Sequence, residues 1–384
     1  MGQTTIDNLD ADESFYYQQA VQLVEGKYEI NDYRPIGFPL ILASVLMISG
    51  GQLFKAKVIL IMISSLRSPL LYLFAQEITG NRIVSFISSL ISAIWPPLVY
   101  LSTTLYTESI TPVFFLAFMI ALPRKPSVWL RWALAGMILG MMILIHPMYC
   151  FFFPFLFLIQ LLEGTLGWSL RNFLIVISSC LLLILPWSYS ISKHEGQFLF
   201  VSMNSADALA GGLNEKLYSN NEYISFAPNG RKTSTGPGMW ITDNGYLLPS
   251  EEQLSLKERN KLIYERTWEW ITTNPYKALY LEGMKLLRLW GFYPYLPALK
   301  VRFIFGNIPI LILLFLSVLA LWKWRQYYRE LCRLWLVPIF VSVVALYAIG
   351  SWRYRLPADL TLIILSTMYV YSCFSSGSLH IGKK

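Results

Sequence analysis

The sequence predicts an all-α polytopic membrane protein on three observations. Hydrophobic residues make up 55% of the chain and charged ones only 14%. Several apolar runs reach the roughly 20 residues a helix needs to cross a bilayer. Basic residues also sort cleanly onto alternate connections between those runs, as positive-inside topology requires. The net charge of +8 is spread over short loops, so nucleic acid is not an expected partner. Cys150, Cys180, Cys332 and Cys373 fall in or beside apolar spans without metal-ligand spacing, and indicate neither a metal site nor a disulfide framework.

Residues 1–53 read as a polar loop. From Ile6 to Pro39, Asp7, Asp10, Asp12, Glu13, Glu25, Glu29 and Asp32 face only Lys27 and Arg34. Asp10 can cap a helix and Glu13 can close a capping box, with Gly26 as the stop, which predicts a helix over Ala11 to Glu25. Asp12, Tyr16 and Ala20 recur every four residues and share one face. The acids can serve the cap and helix dipole or a chemical role, and the sequence leaves both open. Leu40 to Gly50 is apolar but short, and follows Pro35, Gly37 and Pro39; it reads as an interfacial or re-entrant segment.

The transmembrane core over 54–191 is expected to hold six spans: Phe54 to Phe74, Ile83 to Leu101, Ser109 to Leu122, Trp129 to Ile145, Tyr149 to Leu162 and Phe173 to Ile191. Three more in 303–384, Phe303 to Leu321, Leu334 to Gly350 and Leu356 to Cys373, bring the total to about nine, before a cytoplasmic tail. Alternation puts Arg82, Arg124, Lys125, Arg171, Lys323, Arg325, Arg329, Arg333, Lys383 and Lys384 on the cytoplasmic side. The acidic start, the Thr103 to Glu108 turn, the His146-Pro147 turn, the 192–302 loop and Ser351 to Arg355 then lie outside. An external start of this polarity needs a preceding span, so a first transmembrane helix is expected upstream.

The 192–302 loop reads as an insert of mixed structure. Phe198 to Met203 suggests a strand, Ala227 to Met239 a mobile Gly- and Pro-rich loop, and Leu254 to Thr272 a charged helix. Pro275 to Trp290 suggests a surface helix with snorkelling Lys277, Lys285 and Arg288.

The candidate chemistry gathers at the external ends. Glu108, in LYTESITP, sits at a helix start, where a carboxylate can face the Asp12 region or merely complement the dipole. His146 ends a span before Pro147, a position that suits contact with an anion or an interfacial hydrogen bond. Arg34, Arg353 and Arg355 carry planar, permanently charged forks suited to phosphate, and equally to lipid head groups. Arg67 lies inside a span, where a charge usually faces the bundle interior, in a structural pair or on a lipid phosphate.

The motifs DESFYYQQA, RPIGFP, LYTES, LPWSY ahead of the large loop, and RYRLP follow one another in an order that resembles the GT-C membrane glycosyltransferases. The likeness runs from Asp10 to Cys373 and is greatest to the branch of protein O-mannosyltransferases and lipid A aminoarabinose transferases. The resemblance implies inverting transfer of a sugar from a polyprenyl-phosphate donor to a lipid, glycan or protein acceptor. It places this at the external face of what would be a bacterial plasma membrane. It matches the family's loop carboxylate to Asp12, with Asp10 and Glu13 close by, and the second acidic position to Glu108. Asp12 could take the acceptor proton, and Arg34, His146, Arg353 and Arg355 could stabilise the departing phosphate, with Tyr16 among the substrate-binding residues. A family lysine or arginine falls at His146, and an acidic residue of some relatives is replaced in Tyr33-Arg34-Pro35, which leaves a divalent cation undecided. A flippase for a lipid-linked glycan and a non-catalytic scaffold are the alternative readings.

Overall fold

The computed structural model describes residues 9–31, 33–124, 128–220, 246–251, 253–292 and 300–375. Within them the fold is all-α, as expected. Helix α1 (Ala11–Val24) opens with the anticipated capping box, Asp10 accepting from the Glu13 amide and Glu13 reaching back to the Asp10 amide. It closes at Gly26, whose φ of 68° favours glycine. Helix α2 (Gly37–Ile48) is the short apolar segment after the prolines, and it packs on α1.

Helices α3 (Leu53–Ser65) and α4 (Arg67–Thr79) together form one 27-residue span. Helices α5 (Arg82–Ile94) and α6 (Pro96–Ser102) form another, bent by 54° at Trp95 before Pro96. Then come α7 (Thr111–Ala121), α8 (Trp129–Ile145), α9 (Phe152–Glu163) and the 30-residue α10 (Leu166–Glu195). After the insert follow α15 (Lys300–Lys323), α16 (Cys332–Tyr347) and α17 (Leu356–Phe374). All nine expected spans are thus helical. Among the described residues three continuous helices meet the length and hydropathy needed to cross a membrane, four with the bent pair as one. The others are shorter apolar helices.

Close packing comes from small residues, as membrane helices require. Gly136 and Gly140 of α8 lie so near α10 that an added Cβ would stand 2.3 Å from the Val176 carbonyl and 2.9 Å from that of Cys180. Gly37 meets the Leu144 backbone in the same way, at 2.5 Å, which fixes the start of α2 beside the end of α8. Serines join α15 to α17, with Ser317 donating to the Leu362 carbonyl and Ser366 to that of Leu313. Arg67 faces the bundle interior, donating to Ser64 and to the Ser92 carbonyl.

Near the opposite end of the bundle, the fully buried Arg333 forks onto Glu163 at 2.7 and 2.8 Å. It also donates to the Met119, Leu122 and Pro123 carbonyls at the end of α7, while Arg124 bridges Glu77 and Glu163. This cluster joins α4, α7, α9 and α16.

The insert contributes α11 (Ser205–Gly212), α12 (Glu215–Asn220), α13 (Leu256–Thr273) and α14 (Pro275–Leu289). Phe198 to Met203 is not a strand. Its backbone groups are taken by α10 side chains, Ser188 and Ser192 on Leu199 and the Trp187 indole on the Val201 carbonyl, so no ladder partner is needed. Ala227 to Met239 lies outside the described residues. The surface reading of Pro275 to Trp290 is corrected in part. Lys285 and Arg288 are buried, Lys285 donating to Glu282 and the Leu346 carbonyl, because Gly350 brings the neighbouring backbone onto α14.

Candidate active site

Helix α1 presents three neighbouring acids whose side chains diverge with the helical turn. Asp10 caps the helix and accepts from the Tyr106 hydroxyl. Glu13 turns to the bundle, pairing with Lys57 at 3.3 Å and accepting from the Leu105 amide at 2.8 Å. Asp12, between them, accepts from Arg34 at 2.6 Å and lies 3.6 Å from Arg353. Arg353 is also 3.6 Å from Glu108, and its guanidinium lies 4.7 Å from the Tyr106 ring centroid. Arg34 is set over the rings of Phe15 and Tyr16, at 4.9 and 5.0 Å. Tyr16 is buried edge-on to Phe38 of α2 and so fixes the arginine's platform.

His146 ends α8 with extended backbone, and its Nδ1 accepts from the Met148 amide at 3.3 Å. That bond assigns the proton to Nε2. Its ring meets Tyr354 edge-on. Glu108, His146, Met148, Tyr149, Arg353 and Pro357 line a cleft with about 230 Å³ of empty space. Sequence positions far apart, at 12, 34, 108, 146 and 353, thereby meet in one place.

Arg355 does not join them. It is buried, donating to Asp359 at 2.7 Å and to the Leu289 carbonyl at 2.6 Å, and Asp359 also accepts from the Trp95 indole. The expectation that Arg355 contacts a phosphate is corrected accordingly: at i and i+4 of a continuous turn, Asp359 captures it inside the bundle.

The charges perturb one another. Burial acts to raise the Asp12 carboxyl, but Arg34 and Arg353 outweigh it and hold it below the usual range. Glu108 behaves likewise, with burial overcome by Arg353, His146 and the Thr107 hydroxyl. Asp10 is raised, by burial above all. His146 is lowered, because burial and the nearby arginines outweigh the attraction of Glu108. Asp12 and Glu108 are already paired with guanidinium, a donor set that does not fit a divalent cation. Among the described residues no group of three or more His, Cys, Asp or Glu is placed to hold one.

Tyr106, Lys57 and the insert's Asp207 were not singled out by sequence reasoning. Tyr106 lies inside the LYTES motif, two residues before Glu108, and this was the available signal. Asp207, held by Arg259 at 3.3 Å, sits beside Tyr33, whose phenol is raised by burial and by that carboxylate. The insert therefore reaches the loop that carries Arg34.

No family model matches the chain, and no curated protein matches it in sequence. Among solved structures it is similar to ArnT from Cupriavidus metallidurans, determined bound to undecaprenyl phosphate. The TM-score is 0.42 at 13% identity, over 94% of this chain and 73% of that one.

Proposed function

We propose that the protein is an integral-membrane glycosyltransferase that moves a sugar, with inversion, from a polyprenyl-phosphate donor to an acceptor hydroxyl on the external face of the membrane. The observation that carries this reading is the cleft itself, where two carboxylates and two arginines from four separate stretches of chain interlock beside a histidine.

In this reaction the acceptor oxygen forms a bond to the anomeric carbon as the bond from that carbon to the phosphate oxygen breaks. The acceptor proton passes to a carboxylate, and the phosphate leaves with the bonding pair. Arg34 and Arg353 would hold that phosphate, since charge-assisted bonds act where negative charge develops. Asp12 would take the proton. While clamped by both arginines it is a weak base, but a phosphate that competes for those guanidinium groups removes the attraction that depresses it and restores its basicity. Glu108 would orient the acceptor or the sugar. The insert, beside Tyr33, would cover the cleft and limit access of water.

The test is purified full-length protein with a radiolabelled polyprenyl-phosphate sugar and a panel of hydroxyl acceptors. Transfer in wild type, lost in the Asp12→Asn Glu108→Gln double variant, is expected. Donor that binds tightly but is never turned over would favour a carrier or scaffold. Arg67, the ionisable clue to a route through the bilayer, is held by local serines and a carbonyl and gives that alternative no support.

A further inference from the structure

Tyr149 is a buried polar group in the cleft to which the chemistry above assigns no role. It sits on the 3-10 turn Pro147–Phe151, fully buried, with its ring stacked on Phe340. Its hydroxyl has no hydrogen-bond partner among the described residues, although it lies within electrostatic reach of Glu108. Leaving such a group unpaired is unfavourable, and roughly 90% or more of buried polar groups in native proteins have a partner. Phenylalanine would fill the same space without that penalty. The hydroxyl is therefore best understood as waiting for a partner that enters the cleft.

We propose that the Tyr149 hydroxyl donates a hydrogen bond to a hydroxyl of the glycosyl unit, and that the cleft floor it shares with Glu108, His146 and Met148 is the subsite for the transferred sugar. The proposal rests on the glycosyltransferase reading and names its substrate-recognising surface.

Three observations favour a sugar over a phosphate at this spot. The Glu108 carboxylate repels an anion but accepts hydrogen bonds from sugar hydroxyls. The phenol, protonated at neutral pH, and the imidazole, with its proton on Nε2, are donors, so the floor offers two donors and an acceptor. Met148 and Pro357 add the apolar surface that a sugar ring's C–H face covers.

The experiment is Tyr149→Phe in the full chain. Its ligand-free melting temperature should equal or exceed that of wild type, since no partner is lost. Affinity for bare undecaprenyl phosphate should be unchanged, while affinity for undecaprenyl phosphate carrying a pentose or a hexose falls roughly three- to tenfold, the scale of one neutral hydrogen bond. Wild type should lose a similar factor for one deoxy-sugar donor, and the variant should not distinguish that donor from the parent. Equal affinity of wild type and variant for the sugar-bearing lipids would overturn the subsite and leave the transferase reading standing. So would an equal loss for bare undecaprenyl phosphate, which would move the hydroxyl to the phosphate, and so would a destabilised ligand-free variant. Wild type that binds the bare lipid phosphate but none of the sugar-bearing donors would overturn both.

Discussion

On the proposed reading, neighbouring residues of one helical turn at the head of α1 have different roles, and substitutions should separate them. Asp12→Asn keeps a hydrogen-bond acceptor for Arg34 but cannot take a proton, so turnover should fall by roughly two to four orders of magnitude, far beyond the modest loss of melting that goes with its weakened pairing to the arginines. Asp10→Asn and Glu13→Gln should instead register mainly in stability, by about 0.5–2 kcal/mol at the cap. The reverse pattern would mean that the base had been assigned to the wrong acid. The two late arginines part in the same way. Arg353→Gln should weaken binding of the lipid phosphate by about 1.5–3 kcal/mol, the scale of a hydrogen bond to a charged group. Arg355→Gln should cost about 3–5 kcal/mol of stability, because it leaves Asp359 charged and buried without its partner. A purified Arg355→Gln protein with wild-type melting would refute the structural assignment. His146 supplies a pH signature. Its folded value lies below the ordinary 6.5, so over that interval the unfolded chain binds more protons and stability rises with pH. Stability should be level above about pH 6.5 and decline on acidification through the folded value. Asp12 and Glu108, also depressed, add a second loss further into acid as each passes its folded value. Melting curves between pH 7.5 and 5 should lose the first decline in His146→Asn, whose side-chain oxygen can still accept from the Met148 amide.

Helices were legible where local chemistry alone decides them. The capping box, the Gly26 stop and the apolar runs place α1 and the nine expected spans, with ends off by up to about seven residues where α10 begins at Leu166, because each signal is complete in its own stretch of chain. What was not legible depends on the partner across the gap. The SWRYRLP motif cannot tell that Arg353 turns to the cleft and Arg355 to Asp359, since only folding brings Leu289 and Glu108 to opposite sides of that turn. The false strand near Leu199 arose because its serine partners lie on α10. The same limit hid the role of Gly136 and Gly140, which looked like ordinary residues of an apolar run. Their contact with α10 predicts that Gly136→Ala, which sets a methyl 2.3 Å from a backbone oxygen, forces the helices apart and destabilises by about 1–3 kcal/mol. Gly283→Ala, with nothing within 4 Å among the described residues, serves as the control. Equal melting of the two variants would show that the α8–α10 contact is loose.

At the scale of the molecule, the cleft and the insert should lie on one side of the membrane and the Arg333 cluster towards the other. Cysteines placed at the exposed Gln18 and Lys257 should react with an impermeant thiol reagent in intact cells, while the native, exposed Cys373 should react only after lysis. Labelling of Cys373 in intact cells would invert or break this topology. The interlocked pairs have a further consequence. Asp12 and Glu108 against Arg34 and Arg353 sum to no net charge, with a neutral imidazole beside them. An electroneutral cradle gains nothing from long-range attraction, and a phosphate dianion entering it leaves uncompensated charge where screening is poor. The complex should therefore draw a proton from solvent as it forms, so that affinity climbs as the medium becomes more acidic. Titration calorimetry in two buffers of different ionisation enthalpy would reveal that proton as a difference in heat, and identical heats would mean that the lipid brings its own counterion.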